Sequence, residues 1–146
     1  MITIQEMNGH AKKVGMAYEK ALLPLSKETD MPHTAISILL FFANNPDLAT
    51  ASNICETRGL KRPVVSAHVE RLVQEGYIER RAVPGDRRKD ALVCTGKASK
   101  IVEAGRERQI QFATAMLEGI SEEDLAVMER CFLKMNANID RIIKEK

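Results

Sequence analysis

The sequence predicts a mainly α chain of the α+β class, with helices at both ends and a two-stranded hairpin between them. Three observations carry this. Apolar residues recur at three- and four-residue steps over most of the chain. Residues 77–94 change instead to a period of two. Within that stretch Pro84-Gly85-Asp86 is a turn sequence between two apolar runs.

In the first helix the apolar positions are Ile4, Met7, Ala11, Val14, Tyr18 and Ala21, a heptad seam on a helix expected to end near Pro24. The same spacing returns in the last helix at Leu125, Met128, Phe132, Met135, Ile139 and Ile142. Ser121 can cap that helix, with Asp124 three residues on as its capping partner. A narrow apolar stripe has to be buried against something. The two stripes can pack within one chain as a bundle, or with their copies in a second chain. The termini have no other evident core to join, so a C2 homodimer is the expectation.

The second helix begins at Asp30-Met31-Pro32 and buries Ala35, Ile36, Leu39, Leu40 and Ala43 on one face, until Asn44-Asn45-Pro46-Asp47 stops it. Thr50 can cap a short third helix to about Thr57, with Ile54 and Cys55 inward and Gly59 supplying a positive-φ exit. Pro63 suits the first turn of a fourth helix, whose inward residues are Val65, Val69, Leu72 and Val73 and which ends at Gly76. The strands are Tyr77–Val83 and Lys89–Cys94, joined by a basic loop. Thr95 can cap a long fifth helix from about Gly96 to Leu117, with Ile101, Gly105, Phe112 and Met116 on one face.

A chain of 146 residues is one domain's worth. Its 45% hydrophobic and 29% charged residues are those of an ordinary globular protein. No window approaches a membrane span, and the N-terminus lacks the basic-then-apolar order of a signal peptide, so the expected compartment is the cytoplasm. Cys55, Cys94 and Cys131 are too dispersed for a disulfide framework or a zinc site and read as small apolar residues. There is no phosphate-cradling glycine loop, no metal-ligand cluster and no nucleophile–base motif, so neither an enzyme nor a cofactor is expected.

Charge is informative by its placement. Between Arg58 and Lys89 nine basic residues stand against four acidic ones, a net +5 within a chain of net +2. A basic segment of this kind suits phosphate binding. It coincides with two short helices joined by a Gly-containing turn, a helix-turn-helix, followed by the hairpin as a wing. The second of these helices can enter the major groove and present its N-terminal residues to base edges. Those residues are Lys61, Arg62, Pro63, Val64, Ser66, Ala67 and His68. Lys and Arg donate to guanine O6 and N7, Ser is versatile, and Val and Ala suit the thymine methyl.

Residues 59–72, GLKRPVVSAHVERL, followed by Glu75-Gly76-Tyr77-Ile78-Glu79-Arg80, resemble the recognition-helix segment of the MarR (multiple-antibiotic-resistance regulator) family. Asp86-Arg87-Arg88, then Leu92-Val93-Cys94-Thr95-Gly96, resemble the wing of that family, whose pattern is D-x-R, an apolar strand and a threonine. The resemblance extends over nearly the whole chain in helix order and length. It implies a single domain over 1–146, with a winged helix-turn-helix lobe at 30–95 flanked by dimerisation helices at 1–25 and 96–146. It implies a homodimer, with the first, fifth and sixth helices intertwined, that places two recognition helices in successive major grooves of double-stranded DNA. By position Arg88, or Arg87, is the wing arginine of the minor groove, and Asp86 the acid that orients it. Ala67 departs from the pattern, where a basic residue is common, and shifts base reading toward Lys61, Arg62 and His68. The redox-sensing branch carries a cysteine near its first helix, which this chain lacks.

The resemblance further implies a transcriptional regulator, a repressor in the leading reading, released by a small aromatic or anionic effector bound between the dimerisation helices and the lobe. Tyr18, His33 and Phe41 are the candidates for that crevice. The competing reading is a winged-helix module that binds another protein and no DNA.

Overall fold

The computed structural model describes residues 1–145. The order is α1 (Ile4–Thr29), α2 (His33–Asn44), a 3₁₀ turn (Pro46–Leu48), α3 (Ala51–Arg58), α4 (Arg62–Gln74), β1 (Ile78–Val83), β2 (Asp86–Cys94), a 3₁₀ turn (Gly96–Ala98), α5 (Ser99–Met116) and α6 (Glu122–Lys144). This is the predicted order: mainly helical, with one antiparallel hairpin as a wing.

The core is built around α2. Every residue from Ala35 to Phe42 is buried, so this helix has no solvent face. The sequence suggests a one-sided helix, but Ile38, Phe41 and Phe42 are apolar as well. A helix apolar all round belongs in the middle of a core. Against it pack Leu22 and Leu25 of α1, Ile54 of α3, Val65, Val69 and Leu72 of α4, Ile78 and Leu92 of the hairpin, and Ile101 and Val102 of α5.

Several local expectations need correction. Helix α1 does not stop at Pro24 but carries it internally and runs one turn further. Burial of Leu22 and Leu25 on either side outweighs the missing N–H. Asp30 closes the helix in the left-handed region at φ 50°. Thr95 does not cap α5; its hydroxyl donates to the Gly76 carbonyl, and α5 is entered through the 3₁₀ turn. Thr3 and Glu6 form a capping box at the start of α1 that the periodicity leaves unmarked. Ser121 caps α6 as expected, accepting from the Asp124 N–H over 3.1 Å.

The contacts divide the chain into two compact units, Met1–Phe112 and a second beginning at Ala113. The first includes all of α1 and most of α5, because the C-terminal part of α1 and the N-terminal part of α5 both pack on α2. The second holds the end of α5, a turn through Gly119 at φ 80°, and α6. No residue of α6 is buried: Met128, Phe132, Met135, Ile139 and Ile142 of its stripe are 42–62% exposed.

Candidate nucleic-acid interface

The site is assembled from α3, α4 and the hairpin. Thr50 caps α3 by accepting from the Asn53 N–H, and Gly59 ends it at φ 62°. The chain then turns through Leu60 into α4, with Lys61 as N-cap and Pro63 in the first turn. Val65, Val69 and Leu72 point into the core. Lys61, Arg62, Pro63, Val64, Ser66 and Ala67 are all exposed, as the inward set requires. Lys61 makes no side-chain cap; Pro63 has no N–H and the Val64 N–H donates to the Lys61 carbonyl over 3.0 Å, so the positive end of the helix dipole is left without a side-chain partner. Val64 is 40% exposed, an apolar surface at the centre of a polar set.

His68 differs from its neighbours in being half-buried. Burial, helped by the charges of Arg71 and His33, holds its imidazole below the ordinary histidine range. It is therefore a neutral donor or acceptor, not a cation, on this face.

The hairpin departs from the expected strand–loop–strand. Asp86, Arg87 and Arg88 lie in β2, and the turn is only Pro84-Gly85, with Gly85 at φ 84°. Ala82 pairs with Asp90, yet the next residue, Val83, pairs with Asp86. Three residues of β2, Arg87, Arg88 and Lys89, therefore have no opposite number on β1. Such a bulge throws side chains out of the ladder, and all three are exposed. Asp86 accepts from the Arg88 backbone N–H over 2.9 Å. It thus shapes the backbone of the bulge and makes no ion pair with a wing guanidinium.

Eight of the nine basic residues of the segment sort into two groups, and Arg58 stands apart over the Tyr18 ring. The carboxylates of Glu70, Glu75 and Glu79 hold Arg80, Arg71 and Arg81 at 2.7–2.8 Å. Among the described residues Lys61, Arg62, Arg87, Arg88 and Lys89 form no ion pair. With Asp86 engaged on a backbone amide, the local acids neutralise the flanks and leave the helix start and the wing bulge positive. Sequence reasoning places these cations in one segment but does not separate the paired from the unpaired ones. Two of the pairs, Arg71–Glu75 and Arg81–Glu79, are local in sequence, and the third, Arg80–Glu70, depends on the packing of β1 on α4.

A separate cavity of about 140 Å³ lies beside α1, lined by Gly15, Tyr18, Glu19, Leu22, His33, Thr34, Ser37, Arg58 and Leu60. Tyr18 and His33 are among its lining residues. Phe41 is not: it is buried in the core edge-on to Phe42, with ring centroids 5.9 Å apart. His33 Nε2 meets Glu19 Oε1 at 3.1 Å. The Arg58 guanidinium lies over the Tyr18 ring, 5.3 Å from its centroid, a contact between α3 and α1 that no local pattern announces. Tyr18 OH accepts from Gln109 Nε2 at 2.7 Å. Of the cysteines, Cys55 and Cys94 are half-buried and Cys131 is exposed. Burial pushes the Cys94 thiol above its ordinary range, the opposite of a reactive thiolate. No described helix is long and apolar enough to cross a membrane. Among the described residues no three metal-ligating side chains gather in one place.

Fold and site together define a winged helix-turn-helix protein of the regulator class. Residues 29–89 match the family model described as MarR family. Solved structures extend the likeness of fold to the whole chain. The transcriptional regulator PA3341 is 22% identical, with a TM-score of 0.75 over 92% of this chain and 98% of its own. A MarR-family regulator from Listeria monocytogenes, crystallised with 26mer DNA, is 15% identical, with a TM-score of 0.76 over 95% of this chain and 90% of its own. Apo MarR from E. coli is 16% identical, with a TM-score of 0.65 over 92% and 98%. No curated protein matches the sequence.

Proposed function

We propose that this regulator binds a pseudo-palindromic DNA site as a homodimer and represses by occupying it. In this reading α4 lies in the major groove and the Arg87–Lys89 bulge reaches the adjacent minor groove. The observation that carries it is the division of charge: between Lys61 and Lys89 the cations without an acidic partner among the described residues are those at the start of α4 and in the wing bulge. Five unpaired cations per chain suit phosphate contacts and counterion release. The DNA-bound neighbour of the same fold supports the placement. A second copy supplies what the exposed stripes of α1 and α6 lack, and C2 symmetry would set two half-sites about 10 bp apart.

The cavity beside Tyr18 and Arg58 supports an effector-binding role for a small aromatic or anionic molecule. An aromatic ring can lie along Tyr18 and Leu22, and an anion can pair with Arg58. To release DNA, such a ligand has to bind the DNA-incompetent state more tightly than the competent one. Calorimetric titration with a panel of phenols and benzoates tests this. Binding that weakens DNA affinity is expected, and silence across the panel removes the effector reading.

Selection of bound duplexes from a random pool tests the main proposal. The expected result is a palindromic motif with one fixed half-site spacing and an affinity that falls steeply with salt. Failure to enrich any motif, with no salt-dependent mobility shift on any duplex, would favour the protein-interaction alternative.

A further inference from the structure

The exit from the wing is stitched to the last turn of the recognition helix. Helix α4 ends at Gln74 with Glu75 as C-cap, so the carbonyls beyond it need partners from outside the helix. The strand exit supplies them. The Lys97 ammonium donates to the Glu75 carbonyl over 2.6 Å. The Thr95 hydroxyl donates to the Gly76 carbonyl, and the Thr95 backbone N–H donates to the Tyr77 carbonyl over 2.9 Å. Lys97 also lies over the Tyr77 ring, 4.6 Å from its centroid. A cation at this point satisfies a carbonyl and opposes the negative end of the α4 dipole together.

Lys97 lies in the 3₁₀ turn directly before α5. That end of α5 is firmly seated. Ala98 is fully buried, and Gly105 approaches α2 so closely that an added Cβ would stand 2.7 Å from the Leu40 side chain. The two ends of α4 are therefore held differently. Its C-terminal turn is bonded to the root of α5, while its N-terminal turn, which carries the exposed reading residues, has no side-chain cap. A pivot at one end of a 13-residue helix acts on the other end through a lever of roughly 20 Å. A tilt of about five degrees then displaces Arg62 by on the order of 2 Å, several times the roughly 0.5 Å spread of hydrogen-bond lengths.

We propose that Lys97 is a positioning residue that transmits the direction of α5 to the recognition helix and thereby sets the half-site spacing the dimer accepts. This rests on the DNA-binding homodimer reading above. With the ammonium removed, the Thr95 bonds remain but the last turn of α4 loses its cationic partner, and the aim of the helix broadens. On a single half-site the lobe can reseat as a whole and keep the base contacts of its N-terminal residues, whereas the match between two half-sites joined through the dimer is lost.

The test compares wild type with Lys97→Met, which keeps the stem over Tyr77, and Lys97→Arg, which restores the charged donor. The duplexes are the one selected from the random pool, copies with the half-site separation changed by one base pair either way, and a duplex with one half-site. Amide hydrogen exchange of the free protein gives a second readout. The expected result for Lys97→Met is exchange about fivefold faster at Gly76 and Tyr77 and a preference for the selected spacing about fivefold weaker, with half-site affinity unchanged. Lys97→Arg is expected to return both toward wild type. Unchanged exchange or an unchanged spacing preference in Lys97→Met overturns the proposal. So does an equal loss on the half-site duplex, which would make Lys97 a phosphate contact. Wild type that binds no duplex sinks the DNA-binding reading instead, and the exchange result then stands apart from it.

Discussion

Helices α2 and α6 are opposite solutions to the same problem. Helix α2 is apolar on every side and is buried from Ala35 to Phe42. Helix α6 is apolar on one stripe only and buries none of its residues. The lobe around α2 is complete within one chain, since its neighbours from α1, α3, α4, α5 and the hairpin close the core. The stripe on α6, with Phe132 60% exposed, is an apolar surface that the proposed homodimer would cover. The lobe reports on stability and the arm on association, and perturbing the two separates them.

The largest effect is expected in the lobe. Leu39 is fully buried on α2, and Leu39→Ala should lower unfolding free energy by about 2–5 kcal/mol, read by denaturant titration. A matching truncation on the arm, Ile139→Ala, should leave the denaturation midpoint of the lobe nearly unmoved. Comparable losses from both would mean that α6 is part of the lobe's folding unit. Next comes the arm. Phe132→Glu places a charge in the middle of the exposed stripe, and sedimentation should show the dimer dissociating, a change of about 2–4 kcal/mol in association. Unaltered mass across the concentration range would take the stripe out of the interface.

Much of this contrast was legible in the sequence, and the part that was not has a physical cause. The heptads at both ends, the Thr50 and Ser121 caps, the Gly59 exit and the inward set of α4 follow from local rules and stand as expected. Pro24 misled because a local cost was outweighed by burial of Leu22 and Leu25, which only the fold reveals. Phe41 looked like a pocket residue because aromatic character does not say which way a side chain points on a helix buried all round. The bulge of Arg87, Arg88 and Lys89 was hidden because register is a property of the pair of strands. Arg58 over Tyr18, His33 with Glu19 and Lys97 on Glu75 all join residues distant in sequence. Composition had already marked the basic segment, but not which of its members carry an acid.

The two basic clusters of the lobe should separate by their DNA profiles. Arg62→Ala should cost about 1–3 kcal/mol on the selected duplex and less on random DNA, as for a bidentate base contact. Equal losses on both would demote Arg62 to a phosphate contact. Arg88→Ala should weaken binding to most sequences alike and reduce the slope of log affinity against log salt by about one. A slope unchanged by Arg88→Ala would remove the wing bulge from the charged interface.

The smallest effect is expected at the seam between recognition helix and core. The His68 imidazole is held below its ordinary value of 6.5, first by burial and then by the charges of Arg71 and His33. The folded chain therefore binds this proton less readily than the unfolded chain. The sign follows: the contribution of neutral His68 to stability is complete above the unfolded pKa, declines as pH falls below about 6.5, and levels off once pH passes the folded value. The lobe should thus lose stability on mild acidification. His68→Gln keeps a neutral polar side chain at the position and removes the titration. Unfolding midpoints measured from about pH 7.5 to 5 should slope downward for wild type and flatten in the variant. A wild-type slope that survives His68→Gln would remove His68 as the source of the acid sensitivity.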